Sequence, residues 1–229
     1  MAFDDGTAGG PPNLYVGASS AFGLNIVGAG RAADGKPVRL KAGAPRRGLH
    51  GGPIWQPPSD SPGAIYKIDG ATGTVSYLAD TAFSGKSNSG PGIGGLAFDQ
   101  ASRSLYASDL DTGVIHRFGL DYNAADLSQY DHGVAGRRAK GLDPIPDDGR
   151  RLLLTDPAFN AADPATWGFT QPQRRIDALA VHDGRLFYAV AEGPEIWSVG
   201  LNAGDFLTDA RLEVKVKAEK PYPITGIAF

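Results

Sequence analysis

Ile93-Gly94-Gly95-Leu96-Ala97-Phe98-Asp99, then Ser104-Leu105-Tyr106-Ala107-Ser108-Asp109, then Gly113-Val114-Ile115-His116-Arg117-Phe118 is the stretch on which the fold turns. Each run is short, apolar and closed by turn-forming residues, so it reads as three strands in succession. The same phrase, apolar-Ala-apolar, polar turn, second strand, returns farther along the chain, and recurrence at long period is the signature of a repeat architecture. The second copy is Ile176-Asp177-Ala178-Leu179-Ala180-Val181, Arg185-Leu186-Phe187-Tyr188-Ala189-Val190 and Glu195-Ile196-Trp197-Ser198-Val199. A fourth strand is expected over Ala210–Val216, where Leu212, Val214 and Val216 alternate with Glu213 and Lys215. Two broken copies stand at the ends. Met1-Ala2-Phe3-Asp4-Asp5-Gly6 leads into Asn13-Leu14-Tyr15-Val16-Gly17, and Pro223–Phe229 aligns with Gly92–Phe98.

Each unit has room for four short antiparallel strands, and one such sheet cannot cover both of its faces, so neighbours must stack. The expected fold is therefore all-β. It consists of about three β-propeller blades of four antiparallel strands, half of a ring, in a single partial domain over residues 1–229. Two long insertions interrupt it, at 28–62 and 121–175. The first precedes a strand at Ala64-Ile65-Tyr66-Lys67-Ile68, which turns through Asp69–Gly73 into Thr74–Leu78. In the second, five prolines between Pro144 and Pro172 exclude a continuous helix. Three blades do not close a ring, and a broken first strand leaves unpaired edge groups. Completion by missing sequence or by self-association is expected.

These blades resemble those of the six-bladed, TolB-like propeller group, which includes NHL, YWTD and gluconolactonase-like proteins. Tyr106-Ala107-Ser108-Asp109 stands where a YWTD repeat has its signature, with its Tyr and Asp but not its Trp. The resemblance covers about half of the chain and leaves out both insertions. In the gluconolactonase-like family a central calcium is held at the start of the first strand in several blades, and the resemblance places Asp177 at such a position. It places Gly94 and Thr225 where other ligands belong, and neither replaces the oxygen donor that a hard cation needs. The alternative role for Asp177 is a backbone bond or a pair with Arg174 or Arg175.

Composition narrows the function classes. The 229 residues carry a formal net charge of −3, so nucleic acid is not the default partner, and 32 Gly and 17 Pro suit strands and tight turns. The absence of cysteine removes disulfides, zinc–thiolate sites and thiol nucleophiles. No apolar stretch is long enough to span a bilayer. The residues after Met1 show neither a basic nor an apolar signal region, so any export signal for the expected periplasmic or extracellular, bacterial-type protein would lie in a parent sequence. Asp109-Leu110-Asp111-Thr112-Gly113 lacks the further ligands of a calcium loop and reads as a hairpin turn. Gly90–Gly95 leads into a strand, not a helix, which excludes a phosphate loop. His50, His116, His132 and His182 show no metal spacing.

The chemically lopsided stretch is the first insertion. Between residues 31 and 47, Arg31, Lys36, Arg39, Lys41, Arg46 and Arg47 face a single acid, Asp34, and Trp55 follows in a proline-rich setting. Arginines supply forked donors and a tryptophan supplies a stacking group, which suits a protein or an anionic glycan. Trp167 in the second insertion is expected on the same face, while Trp197 alternates with core positions. The leading expectation is a non-enzymatic binding module without a cofactor. The alternatives are a metal-dependent lactonase or esterase-like hydrolase using Asp177 with calcium, and a purely structural domain of a larger surface protein.

Overall fold

The computed structural model describes residues 1–6, 9–18, 26–31, 33–35, 37–40, 62–152, 157–158, 163–217 and 222–229. Three four-stranded antiparallel sheets follow one another along the chain, as the repeats predict. The first is built from β1 (Ala2–Phe3), β2 (Leu14–Gly17), β5 (Ala64–Ile68) and β6 (Val75–Asp80), with the hairpin β3 (Ile26–Arg31) and β4 (Pro37–Leu40) inserted between its second and third strands. A small hairpin, β7 (Ala82–Phe83) and β8 (Lys86–Ser87), leads to the second sheet. That sheet is the meander β9 (Ile93–Asp99), β10 (Ser104–Asp109), β11 (Val114–Gly119) and β12 (Ala125–Asp131). The third contains β13 (Ile176–His182), β14 (Arg185–Val190), β15 (Glu195–Asn202) and β17 (Arg211–Lys215), with β16 (Asp205–Phe206) extending β15 as a hairpin. These are propeller blades, and the protein is all-β apart from short helical turns.

Period-2 alternation explains how the blades stack. In the second blade Ala97, Tyr106, Ile115 and Tyr130 join Leu179, Leu186, Tyr188, Trp197 and Val199 in the core between blades two and three. Leu96, Leu105, Ala107 and Phe118, at odd offsets from them along the same strands, point the other way and pack with Ala2, Tyr15, Ile65 and Ala79 of blade one. Every position of β10 is buried, because each face meets another sheet, whereas β17, outermost in its blade, is largely exposed. Trp197 is 2% exposed, as its alternation predicts. The inner strands approach closely at two glycines. A Cβ on Gly94 would lie 2.2 Å from Ile176 O, and one on Gly95 2.8 Å from Leu179 N.

Two sequence expectations change. The stretch 121–175 is not all insertion: Ala125–Asp131 is the missing fourth strand of the second blade. It escapes notice because Ala125-Asp126-Leu127-Ser128-Gln129 is polar and mostly exposed, with only Tyr130 committed to the core. At the other end, residues 222–229 form no strand; instead Phe229 stacks on His182 at 4.4 Å and lies 4.7 Å from the Phe187 ring.

Candidate functional site

In a meander, the turn from second to third strand and the crossover from one blade to the next leave from the same end of the sheet. Backbone bonds tie those ends together here. Ile93 N donates to Ala18 O at 2.7 Å, Leu110 N to Gly92 O at 3.0 Å, Thr170 N to Leu110 O at 3.0 Å and Glu192 N to Pro172 O at 3.0 Å. The base of the first insertion, beside Ala18 and Ala64, and the connection from 132 to 175 thus emerge on one face. This is the candidate site.

Arg174 fixes the second connection to the blades. Its side chain is fully buried; Nε and Nη2 donate to Thr112 O at 3.0 and 2.7 Å, Nη1 donates to Ile145 O, and the guanidinium pairs with Asp131 at 2.9 Å. Burial pushes the Asp131 carboxyl up and Arg174 pulls it back down. Beside it, buried His132 meets Tyr188 Oη through Nδ1 at 3.1 Å and the Trp197 ring at 4.7 Å. Burial, reinforced by the Arg137 and Arg174 charges, holds its imidazole down to about 3, so it is neutral and structural at ordinary pH.

Above this anchor lies a mixed aromatic and charged surface. Trp167 and Phe169 are partly buried with ring centroids 6.0 Å apart, and the Arg175 guanidinium sits 5.2 Å over the Phe169 ring. Arg175 Nε lies 3.4 Å from Asp177 Oδ1, an ion pair rather than a directed hydrogen bond. Burial raises the Asp177 carboxyl and Arg175 lowers it. Nearby in the chain Arg138 and Lys140 are exposed, and neither forms an ion pair with another described residue.

The sequence-derived site residues distribute unevenly. Arg31 and Arg39 lie on opposite arms of the β3–β4 hairpin, Arg31 opposite Pro37 and Arg39 opposite Val27. Lys36, Lys41, Arg46, Arg47 and Trp55 lie outside the described residues. Asp177 is engaged by Arg175, not by Arg174, which serves Asp131 instead. For calcium, the described residues do not fit. Among them no group of three or more His, Cys, Asp or Glu is placed to hold a metal, and Gly94 offers no donor beside Asp177.

No protein-family model and no curated protein sequence matches the chain. Among solved structures it is similar to Sqt1 of Saccharomyces cerevisiae (9% identity, 65% of this chain and 27% of that one, TM-score 0.37). It is similar also to the β-propeller domain of Myceliophteria thermophila Cps50 (Swd1), at 9% identity over 65% of this chain and 32% of that one, TM-score 0.34. A third is the PQQ-bound aldose sugar dehydrogenase of Streptomyces coelicolor, at 15% identity over 89% of this chain and 63% of that one, TM-score 0.31. The chain spans less than two thirds of each. The propeller class is established by the sheets themselves.

Sequence reasoning missed Phe169, Arg138 and Lys140, and named Arg175 only as a candidate partner of Asp177. All four fall in the stretch flagged as an insertion, but no periodicity marks them. What singles them out is proximity to a buried anchor, and the only hint of that anchor in the sequence is the Arg174-Arg175 pair before a strand.

Proposed function

We propose that this chain is a non-enzymatic β-propeller binding module that takes a protein or an anionic glycan on the face carrying the two long connections. One observation carries the reading: the described ends of the connection from 132 to 175 are braced by a fully buried arginine, Arg174, with three carbonyl bonds and an ion pair. A braced surface loses little conformational entropy on binding, which favours recognition. The surface it presents supports a ligand with negative charge and apolar faces, since Trp167, Phe169 and Arg175 stand together and Arg138 and Lys140 have no acidic partner among the described residues. The basic residues Arg31, Lys36, Arg39, Lys41, Arg46 and Arg47, with Trp55, belong to the same reading. So do a six-bladed TolB-like ring, its completion by self-association, and a periplasmic or extracellular setting. No helix among the described residues is long and apolar enough to cross a membrane.

The test uses heparin as the anionic probe. Replacing Arg39, Lys41, Arg46 and Arg47 together by Gln is expected to weaken binding at least about tenfold at low salt and to flatten its salt dependence, because screened surface charges supply the attraction. Trp167→Ala is expected to weaken binding with the salt dependence intact. Unchanged affinity in both variants sinks the reading and leaves a purely structural domain.

A further inference from the structure

Residues 147–152 return across the blades beneath the loop face. Leu152 N donates to Ser89 Oγ at 2.7 Å, and the Leu152 side chain lies against Gly90, where a Cβ would sit 2.2 Å from Leu152 Cδ2. Arg151 reaches to 3.9 Å from Asp111 and is shared with Asp147 at 3.4 Å. Beneath this segment Asp111 is 3% exposed; its Oδ2 accepts Ser89 N–H at 2.7 Å, while its Oδ1 has no hydrogen-bond partner among the described residues. Asp109, two residues away and 1% exposed, likewise leaves Oδ2 unpartnered. The turn that the sequence marks only as a hairpin turn therefore holds two buried carboxyls side by side, each with an oxygen that has no hydrogen-bond partner among the described residues.

We propose that residues 147–152 form a proton-coupled strap, closed over Asp111 when that carboxyl carries a proton and loosened when it ionises. The groups facing Asp111 give the sign. Burial and then the Asp109 charge raise its carboxyl to about 6, against the backbone and side chain of Ser89 and the guanidinium of Arg151, which favour the ionised form. Asn88 donates to Asp109 at 2.6 Å, and buried His116 faces Asp109 from behind. Arg151 cannot reverse the balance, since it stands at 3.9 Å and also serves Asp147. Lifting the strap admits water to Asp111 and removes the burial penalty, so ionisation favours the lifted state. By linkage, the closed state is strongest below the ordinary carboxylate range and weakens as pH rises from about 4 to about 6, with no further change above. The full shift of roughly two pH units corresponds to about a hundredfold in the opening equilibrium. The strap belongs to the face assigned to binding, but the inference needs no ligand, and its failure and that of the binding reading are separately visible.

Hydrogen exchange of the Leu152 amide tests it, read by NMR or mass spectrometry between pH 4 and 7 and corrected for the intrinsic pH dependence of exchange. Protection in the wild type is expected to fall up to about a hundredfold across this range, and to be flat in Asp111→Asn, which retains the acceptor for Ser89 N–H. Arg151→Gln gives an independent readout, because removing a charge that favours ionised Asp111 moves the midpoint to higher pH. A flat wild-type profile overturns the strap, as does an unchanged slope in Asp111→Asn or an unmoved midpoint in Arg151→Gln.

Discussion

Replacing Arg174 by Met keeps most of the volume and removes the charge, so the result reports the anchor rather than a cavity. Three things are lost at once. Thr112 O loses two donors, Ile145 O loses one, and Asp131 is left a partly buried carboxylate without its partner. Breaking a buried pair by removing one member costs roughly 3–5 kcal/mol, most of it from the uncompensated charge that remains. At an m-value of about 2–3 kcal/mol per molar urea, the midpoint should fall by about 1–2.5 M. Unfolding followed by tryptophan fluorescence reads this directly, because Trp197 lies 4.7 Å from His132 at the same anchor. The double variant Arg174→Met/Asp131→Asn then separates charge from geometry. With no charge left unpaired, it should recover at least about half of the loss. A single variant costing under about 1 kcal/mol would falsify the view that Arg174 braces the loop face. A double variant no better than the single one would assign the cost to the carbonyl bonds instead.

Two further perturbations probe neighbouring parts of the frame. His132 has its folded value lowered to about 3, so it withdraws stability as pH falls from about 6.5 toward 3, at roughly 1.4 kcal/mol per pH unit. His132→Gln should therefore show a shallower loss on acidification than the wild type; parallel curves would show that His132 titrates freely. Gly94→Ala drives a methyl to 2.2 Å from Ile176 O, a backbone atom with no freedom to yield. It should cost about 1–3 kcal/mol and lower Tm by several degrees. Gly226→Ala, where a Cβ meets nothing within 4 Å, is the control, and equal melting of the two variants would refute close approach of β9 and β13.

The sequence alone determined the repeat, the all-β class and eleven of the twelve blade strands, because strand identity is written locally in alternation and turn chemistry. It also placed Trp197 in the core, where the structure buries it, while Trp167 is only partly buried. It lost β12, whose polar face carries too little apolar signal. It left Asp177 with two candidate arginines, which only geometry distinguished. The Asp109–Gly113 turn shows the division most clearly. Its residues specify a hairpin wherever they stand, but Asp111 is covered by segments 22 and 40 residues away, around Ser89 and Arg151. Turn chemistry is local and readable, whereas desolvation is a property of whatever packs on top, and only the tertiary structure decides that.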